Sequence, residues 1–498
     1  MYRTTLYYLI FLVLCAFVFG FFGLIAGNPF HVLIQCLIVI AACWSSNWFF
    51  AKLFKASTNT ESVFITALIL TLIIPIEFPL NAVFIAFASV IAMASKYLLT
   101  IQKQHVFNPA AISILLYALL FTEQPATWWI GTPAMIVPTV LGGALLMRKT
   151  KRERMIFSFL ISYLALISVG SLVRFGTIDS LLSTIQLATL QTALFYFAFV
   201  MLTEPLTSPA TKKLQTYYAV LVAFIYSTPH LRLFGVTYTP EFSLVIGNIF
   251  AYLIEPRYRF VLTLKEKLQL TKDTVLFNFG KIDRFFFTPG QYLEWTLEHK
   301  SPDSRGNRRY FSIASSPQEE LQLLVKFYTP SSTFKQNLLS LPVGGKIVAS
   351  HLAGDFTLPK DVTKPLAFIA GGVGIAPFRS MIEEIIERQH MVDIVILFAN
   401  KTKDDILFAK TFERALTLGV KTTYVLTDKE SVPVGFRGEV GHIDEDRIKK
   451  VIPDFAKRTF YISGPQLMVQ SFEKVLSNVG VSKRRTVVDF FPGYTETK

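Results

Sequence analysis

A glycine-rich stretch, FIAGGVGIAPFRSM, contains the residues whose types and spacing are best suited to binding a phosphate group. It follows a predicted strand and opens a predicted helix, so backbone N–H groups and the helix N-terminus are available to a pyrophosphate. Gly371, Gly372 and Gly374 would let the backbone approach such a ligand closely. Because the spacing differs from the standard GxGxxG pattern, this turn alone is weak evidence for dinucleotide binding.

The elements around this turn predict two domains in the second half of the chain. From 360 to 498, β-type runs such as PLAFIA and VDIVILFA alternate with helical runs such as APFRSMIEEIIERQ. This alternation predicts a doubly wound α/β domain, with a parallel sheet covered by helices on both faces. From 256 to 359, short β-type runs such as DTVLFNFG and QLLVKFYT predict a small antiparallel barrel. This pair of domains fits an enzyme that transfers a hydride between two bound molecules.

The stretch RRYFSIASSP lies in the predicted barrel and contains Arg309, Phe311 and Ser312 in a recognisable order. With it, the second half of the chain resembles the ferredoxin-NADP reductase superfamily over nearly its whole length. The resemblance implies that Arg309 pairs with the pyrophosphate of FAD, as suits a guanidinium fork. It further implies that Phe311, beside Tyr310, packs on the isoalloxazine and that Ser312 hydrogen-bonds near its reactive nitrogen. An ordinary strand with a surface arginine would explain this stretch alone, but not the ordered set of motifs.

Further segments match the same family in the family's order. Tyr292 in PGQYLEW belongs to the first barrel motif, and Ser332 and Thr333 in SSTFK stand where hydroxyl and N–H groups hold phosphate. GGVGIAP, which ends at Pro377, matches the family's form of the glycine-rich turn. The resemblance therefore implies FAD as cofactor and NADH or NADPH as coenzyme. The choice stays open, because Lys401 could meet a 2′-phosphate but acidic residues follow it closely.

Two segments near the C-terminus complete the implied catalytic set. YISGPQLM, with Gly464 and Pro465, resembles the family's Cys-Gly-Pro segment beside the nicotinamide, but Ser463 stands where many members have Cys. This departure puts a thiol contribution to hydride transfer in doubt. VVDFFPGY matches an acidic residue, Asp489, followed by an aromatic residue, Phe491, that shields the flavin. With Ser312, these residues form the catalytic set that the resemblance implies.

The first half of the chain, residues 1–255, has the composition of a membrane domain. The chain is 52% hydrophobic, with a mean hydropathy of +0.45, and the apolar excess occurs in runs before Glu255. A bilayer core of ~30 Å needs roughly 20 apolar residues in a helix. We therefore expect ten membrane-spanning helices, near 6–27, 30–51, 61–76, 80–100, 108–122, 127–147, 155–174, 181–202, 215–229 and 238–254.

Charged loops predict the orientation of these helices. Lys and Arg cluster in every second loop, notably in RKTKRER and at Lys212 and Lys213, so both termini and the reductase half are predicted to be cytoplasmic. This bias accounts for part of the net charge of +14, and no basic groove with interleaved aromatic residues indicates a nucleic-acid partner. The cysteines Cys15, Cys36 and Cys43 lie in the first two apolar runs, so neither a disulfide framework nor a metal site is expected.

Two short motifs in the membrane half, HVFNPAA and MLTEPLTSPAT, carry a second resemblance. They are similar to segments of the NqrB/RnfD family, the membrane subunits of the sodium-translocating NADH:quinone reductase and of the Rnf electron-transport complex. That resemblance implies a flavin in the membrane domain, which many members attach through a Ser-Gly-Ala-Thr motif. The chain has only QPAT, ending at Thr127, and SPAT, ending at Thr211. We therefore expect no covalent flavin, and a noncovalent flavin or a quinone instead.

Asn108 and Ser208 mark a candidate site for such an acceptor. Each precedes a proline, which predicts two capped helix starts on the cytoplasmic side whose N–H groups could bind an anionic or carbonyl-bearing ligand. Ordinary helix starts explain the pattern equally well. A haem relay is disfavoured, because His31, His105 and His230 each lie near a predicted helix end and no helix has two.

These observations favour a membrane-bound flavoenzyme. NAD(P)H would reduce FAD in the cytoplasmic module, and electrons would pass to a flavin or quinone held in the lipid bilayer, with further electron-transport subunits as potential partners. One alternative is an ion-translocating or transport protein that the reductase domain energises or regulates, although few ionisable residues lie inside the predicted spans. The other is a transmembrane ferric reductase of the haem type.

Overall fold

The chain folds into two compact units, residues 1–257 and residues 258–498. The computed structural model describes residues 2–25, 28–54, 60–76, 82–101, 104–121, 126–150, 152–228, 232–233, 236–237, 239–255, 259–283, 285–303 and 306–491. His230 of the sequence analysis lies outside the described residues, and so does the side chain of Phe491.

The first unit is built from helices. They are α1 (Tyr2–Phe21), α2 (Pro29–Leu53), α3 (Thr60–Ile73), α4 (Ala82–Leu98), α5 (Pro109–Phe121), α6 (Pro133–Thr150), α7 (Glu153–Phe175), α8 (Ile178–Leu190), α9 (Leu194–Tyr196), α10 (Lys212–Tyr226) and α11 (Pro240–Ile254). A short π-helix, Phe197–Met201, continues α9. Two small hairpins, β1 (Thr100–Ile101) with β2 (Gln104–His105) and β3 (Arg232–Leu233) with β4 (Val236–Thr237), lie between helices.

A helix lies at each of the ten predicted positions, but the number of spans is not confirmed. Within the described residues, three helices are long and apolar enough to cross a membrane: Arg3–Phe21, Pro29–Leu53 and Glu153–Phe175. A fourth span results if Ile178–Leu190 and Leu194–Met201, which are bent by 59°, count as one. Helices such as α5 and α11 are shorter than the length needed to cross the bilayer core. The 15 residues of α11 extend only ~22 Å, whereas the bilayer core is ~30 Å thick.

The second unit begins with two antiparallel sheets. Their strands are β5 (Arg259–Thr263), β6 (Glu266–Thr271), β7 (Thr274–Asn278), β8 (Tyr292–Thr296), β9 (Arg308–Ser312), β10 (Gln322–Lys326) and β11 (Lys346–Ala353). The first sheet has the order β10-β7-β6 and the second the order β5-β11-β8-β9, with an isolated bridge between Ile313 and Leu323. The antiparallel arrangement matches the sequence analysis, while the described residues form two sheets rather than one continuous barrel. Helix α12 (Thr333–Ser340) follows β10, and its Phe334 is buried in the core with Trp295.

A six-stranded parallel sheet follows. Its strands are β12 (Leu366–Gly371), β13 (Ile394–Asn400), β14 (Val420–Leu426), β15 (Glu439–Val440), β16 (Thr459–Pro465) and β17 (Thr486–Phe491), and the helices of this domain are α13 (Ala376–Arg388), α14 (Ala409–Arg414), α15 (Glu445–Val451) and α16 (Gln466–Asn478). The strands have the order β15-β14-β13-β12-β16-β17. Successive residues of β12 enter different cores: Phe368 packs in one and Ile369 in the other, so both faces are covered. This confirms the predicted doubly wound domain.

Helix α13 is fastened to the segment that follows β9. The buried Arg379 donates to the backbone oxygen of Ala314 at 2.6 Å and to both carboxylate oxygens of Glu319, at 2.8 and 3.1 Å. Next to it, Ser380 donates to the backbone oxygen of Ser315 at 2.6 Å. These contacts hold the parallel-sheet domain against the chain that leaves RRYFS.

Replacing Arg379 by Ala should destabilise this junction by about 3 kcal/mol, because the Glu319 carboxylate loses its charged partner and the Ala314 carbonyl loses the Arg379 donor. Arg388, on the same helix, pairs with Glu384 but is 61% exposed, so Arg388→Ala should cost less than about 1 kcal/mol. Hydrogen–deuterium exchange of α13 and residues 314–319 in the full-length protein measures the difference. Equal protection in the two variants would contradict the assignment.

Candidate active site

Strand β9 and helix α12 each direct a hydrogen-bond donor at the same carboxylate. Arg309 in β9 places its Nη2 at 3.2 Å from a carboxylate oxygen of Asp303. The backbone N–H of Thr333, the first residue of α12, donates to the same carboxylate at 3.2 Å. Ser332 is the N-cap of this helix and accepts from the Lys335 N–H at 3.3 Å. Arg309, Ser332 and Thr333 are thus brought together, and the anion that Arg309 and the Thr333 N–H contact in the structure is the Asp303 carboxylate.

Aromatic side chains surround this anion site. The guanidinium of Arg309 lies 5.3 Å from the ring centre of Phe334, and Phe311 packs against the same ring at 6.1 Å. On the neighbouring strand, Tyr292 packs edge to face against Tyr310 at 5.7 Å, and the Tyr310 hydroxyl donates to Glu294 at 2.6 Å. The predicted flavin-binding residues therefore lie on two paired strands, β8 and β9.

Three of the predicted catalytic residues meet where the two domains of the second unit join. In the register of β16 and β17, Ser463 is paired with Asp489. The Asp489 carboxylate accepts a hydrogen bond from Ser312 of β9 at 3.2 Å, although the two residues are 177 positions apart. The fully buried Ser463 hydroxyl has no hydrogen-bond partner among the described residues. The geometry thus places a hydroxyl, a carboxylate and a second, unsatisfied hydroxyl close together.

The glycine-rich turn borders a cavity of ≈ 250 Å³. Gly371 at the end of β12, Gly372, and Pro465 at the end of β16 line it. The order in which the chain adds strands reverses between β12 and β16, and ligands bind to open α/β sheets at such a switch point. Pro377 lies in the first turn of α13, which follows this turn. The cavity therefore has the position expected for a dinucleotide.

The structure requires glycine at these positions for different reasons. Gly372 has φ of +53°, and a Cβ there would meet nothing within 4 Å, so its requirement is conformational. A Cβ on Gly374 would lie 2.2 Å from the backbone oxygen of Ser463, and one on Gly371 or Gly464 would collide with the side chain of Met468. Gly372 therefore needs its conformational freedom, while Gly371, Gly374 and Gly464 permit close packing inside the protein, and Gly371 also lines the cavity.

Charged groups of both signs lie at this cavity. Lys326 lines it and pairs with Asp273 at 3.0 Å; burial raises the pKa of Asp273, but Lys326 outweighs this and lowers it below the usual value. Lys401 and Asp405 also line it, and Asp405 caps the turn by accepting from the Thr402 N–H at 3.0 Å. The side chains therefore leave the choice between NADH and NADPH open.

The residues present fit both groups that the sequence implied. For FAD, Arg309 and the α12 N-terminus already hold an anion, with aromatic rings beside it. For the coenzyme, the cavity at the glycine-rich turn lies in the same unit as Ser463, whose buried hydroxyl is unsatisfied. An unsatisfied buried hydroxyl is costly, and a water molecule or a bound ligand would lower this cost by supplying a partner.

In the first unit, the segments that contain Asn108 and Ser208 meet at Glu204. Asn108 caps α5 as predicted, because its side chain accepts from the Ala111 N–H at 3.0 Å, and it donates to the Glu204 carboxylate at 2.8 Å. The predicted cap at Ser208 is wrong: the next helix begins at Lys212, with Thr211 as its N-cap. Ser208 instead donates to the backbone oxygen of Glu204 at 2.5 Å and binds Arg152, because the chain turns through 202–211 before the helix starts.

Sequence reasoning did not single out two acidic residues of the first unit, Glu204 and Glu241. The Glu204 carboxylate lies 3.7 Å from Nε2 of His105, and the buried carboxylate of Glu241 accepts a hydrogen bond from Trp128 at 2.6 Å. Acidic residues within apolar segments were the available signal for both glutamates. No such signal was available for Asp303, because an acidic residue in a polar loop is typical of the surface and does not predict contacts with Arg309 and α12.

Comparison with known proteins identifies the NAD-binding part. Residues 368–474 match the model of the family described as "Oxidoreductase NAD-binding domain". The chain is 26% identical over 271 residues to NADH-cytochrome b5 reductase 1 of Pyricularia oryzae, covering 51% of this chain and 86% of the relative. It is 27% identical over 217 residues to a flavohemoprotein of Rhodopirellula baltica, covering 41% of this chain and 53% of that protein.

Solved structures give weaker likenesses to the same class. The cytochrome b5 reductase domain of Ulva prolifera nitrate reductase is 22% identical, with a TM-score of 0.41, over 47% of this chain and 97% of that chain. The FAD/NAD-binding domain of a Vibrio cholerae nitric oxide dioxygenase is 20% identical, with a TM-score of 0.40, over 46% and 98%. Residues 368–474 are therefore an oxidoreductase NAD-binding domain, the C-terminal half is similar to NADH-cytochrome b5 reductases and flavohemoproteins, and the chain is an FAD-dependent NAD(P)H oxidoreductase.

Proposed function

We propose that this protein is a membrane-bound enzyme that takes electrons from cytoplasmic NAD(P)H and passes them to a flavin or quinone held in or across the bilayer. The observation that carries the reductase part is the hydrogen bond between Ser312 and Asp489, which joins the flavin-side and coenzyme-side motifs at one place. When bound, FAD would accept hydride from NAD(P)H and deliver electrons onward.

The protein's own residues bind and orient the two ligands. Arg309 and the N–H groups of α12 would hold the FAD pyrophosphate, while Tyr292, Tyr310 and Phe311 provide aromatic surface for the ring. Gly372 and the turn into α13 would receive the coenzyme pyrophosphate. Ser312 and Asp489 would hydrogen-bond near the reacting edge of the flavin, and Phe491 would cover it.

The membrane half would supply the acceptor, as its likeness to the NqrB/RnfD family implies. A cavity beside Asn108 and Glu204 measures ≈ 60 Å³, which is room for a few water molecules at roughly 10–15 Å³ each. Organic-ligand pockets measure about 300–1,000 Å³. A flavin or quinone near Asn108 and Ser208 would therefore need this region to widen when it binds.

Two alternatives differ in what the membrane half does. The partly buried Glu204 and the buried Glu241 favour ion movement, because ionisable residues inside membrane segments commonly mark ion or proton pathways. Ion uptake into proteoliposomes during NADH oxidation would distinguish that function. A haem relay is less well supported, because His31 lies in the first turn of α2 and His105 in a hairpin rather than paired within one helix.

The first test concerns the FAD site. Arg309→Ala should remove FAD from the purified protein and abolish NAD(P)H oxidation, because the pyrophosphate loses a charge-assisted pair. The matched control is Arg308→Ala on the same strand, since Arg308 pairs with Glu294 and is 32% exposed. Flavin content after gel filtration is the measurement, and full flavin in the Arg309 variant would refute the site.

A second test concerns topology. Reporter fusions after Thr150 and after Thr497 should both indicate the cytoplasm, whereas a fusion after Phe121 should indicate the outside, because the basic loops remain inside. Paired activity and fluorescence reporters show on which side of the membrane each fusion point lies. An outside signal at Thr497 would contradict the placement of the reductase unit.

A third test concerns the membrane cofactor. Denatured full-length protein should carry no flavin fluorescence on the polypeptide, because neither Thr127 nor Thr211 lies in a Ser-Gly-Ala-Thr motif. The native absorption spectrum should show no haem band. Fluorescence that stays with a peptide containing either threonine would show a divergent attachment site, and a haem band would favour the ferric-reductase alternative.

A further inference from the structure

Asp303 is attached to the N-terminus of α12 by both its backbone and its side chain. Its backbone N–H donates to the Thr333 hydroxyl at 2.9 Å, and its carboxylate accepts from the Thr333 N–H at 3.2 Å. The Thr333 hydroxyl also lies 3.1 Å from Nε2 of His299, which precedes Asp303 in the same connection between β8 and β9. The carboxylate is therefore held in place by reciprocal bonds rather than by one chance contact.

The same carboxylate also binds Arg309. The Nη2 of Arg309 lies 3.2 and 3.3 Å from its two oxygens. The arginine side chain is only 14% exposed and lies over the ring of Phe334. A guanidinium at this depth without an anion would be costly, since an unpaired buried charge is strongly destabilising. Asp303 satisfies this charge in the protein without flavin.

Arg309 and the Thr333 N–H are the two donors that the proposed function assigns to the FAD pyrophosphate. We propose that Asp303 is an internal anion that fills the pyrophosphate subsite when FAD is absent and is displaced when FAD binds. This inference rests on the proposed function, because it requires that subsite. FAD must then break the contacts of Asp303 and overcome the repulsion between its carboxylate and the incoming phosphates, so Asp303 sets the affinity of the chain for its own cofactor.

A purely structural role of Asp303 predicts the opposite effect on FAD binding. If Asp303 only held Arg309 and α12 in the correct position, its removal would weaken FAD binding. If it is a competing anion, its neutralisation strengthens FAD binding. Asn is the suitable replacement, because its amide oxygen can still accept from the Thr333 N–H while the negative charge beside Arg309 is lost.

The experiment titrates full-length, flavin-stripped protein with FAD and measures the dissociation constant by flavin fluorescence. Asp303→Asn should bind FAD roughly tenfold more tightly than the wild type, which corresponds to about 1.4 kcal/mol. Riboflavin has the same ring but no phosphate, so its affinity should not change. Asp361→Asn is the matched charge control, because Asp361 is an exposed acidic residue that bonds only with Thr363 and Lys364 among the described residues.

Weaker or unchanged FAD binding by Asp303→Asn would overturn the proposal, as would equal gains for FAD and riboflavin. Asp303→Ser, which also lacks the charge, should bind FAD more tightly as well, and this keeps the test valid if the Asn variant folds poorly. Failure of the proposed function itself has a different signature: the wild-type protein would then bind no FAD that Arg309→Ala removes.

Discussion

The hydrogen bond from Ser312 to Asp489 links parts of the chain that the sequence separates by 177 positions. It requires β17 to be at the edge of the parallel sheet, in register with β16, so that Asp489 lies beside Ser463. It also requires the segment after β9 to be fixed against α13, which the buried Arg379 achieves. The predicted catalytic residues thus depend on the packing between the antiparallel sheet that contains β9 and the parallel sheet as much as on their own side chains.

Charge compensation explains the second feature of the site. Arg309 is mostly buried, and the helix N-terminus beside it presents the Thr333 N–H, which has no acceptor within its own helix. Both need an anion, and the chain provides Asp303. A site prepared for a charged cofactor needs some internal counter-charge before the cofactor arrives, and the same counter-charge then opposes binding.

Much of the fold could be predicted because the signals were local. Apolar runs predicted a helix at all ten positions, and alternating strands and helices predicted the parallel sheet. The number of spans could not be predicted in this way, since α5 and α11 are apolar but short. The cap at Ser208 failed for a related reason: a residue before proline resembles a helix start, whereas here the chain continues through Pro209 to Lys212 before it becomes helical.

The residues of the candidate site that belong to family motifs could be predicted from the sequence. Residues whose position depends on contacts over long sequence separations could not. Arg309, Thr333 and Asp489 could be named from their motifs, but the position of Asp303 between the first two depends on how a loop folds onto α12. Likewise, Gly371 and Gly374 match a motif, yet Met468 and Ser463 explain why they are glycines.

The most direct test of the account is an anaerobic titration of the purified full-length protein with NADH and, separately, with NADPH. The absorbance of oxidised flavin should fall with at least one coenzyme, in proportion to the amount added, until the bound FAD is fully reduced. If flavin is present and dithionite reduces it while neither coenzyme does, the protein is not an NAD(P)H-oxidising flavoenzyme, and the account is wrong.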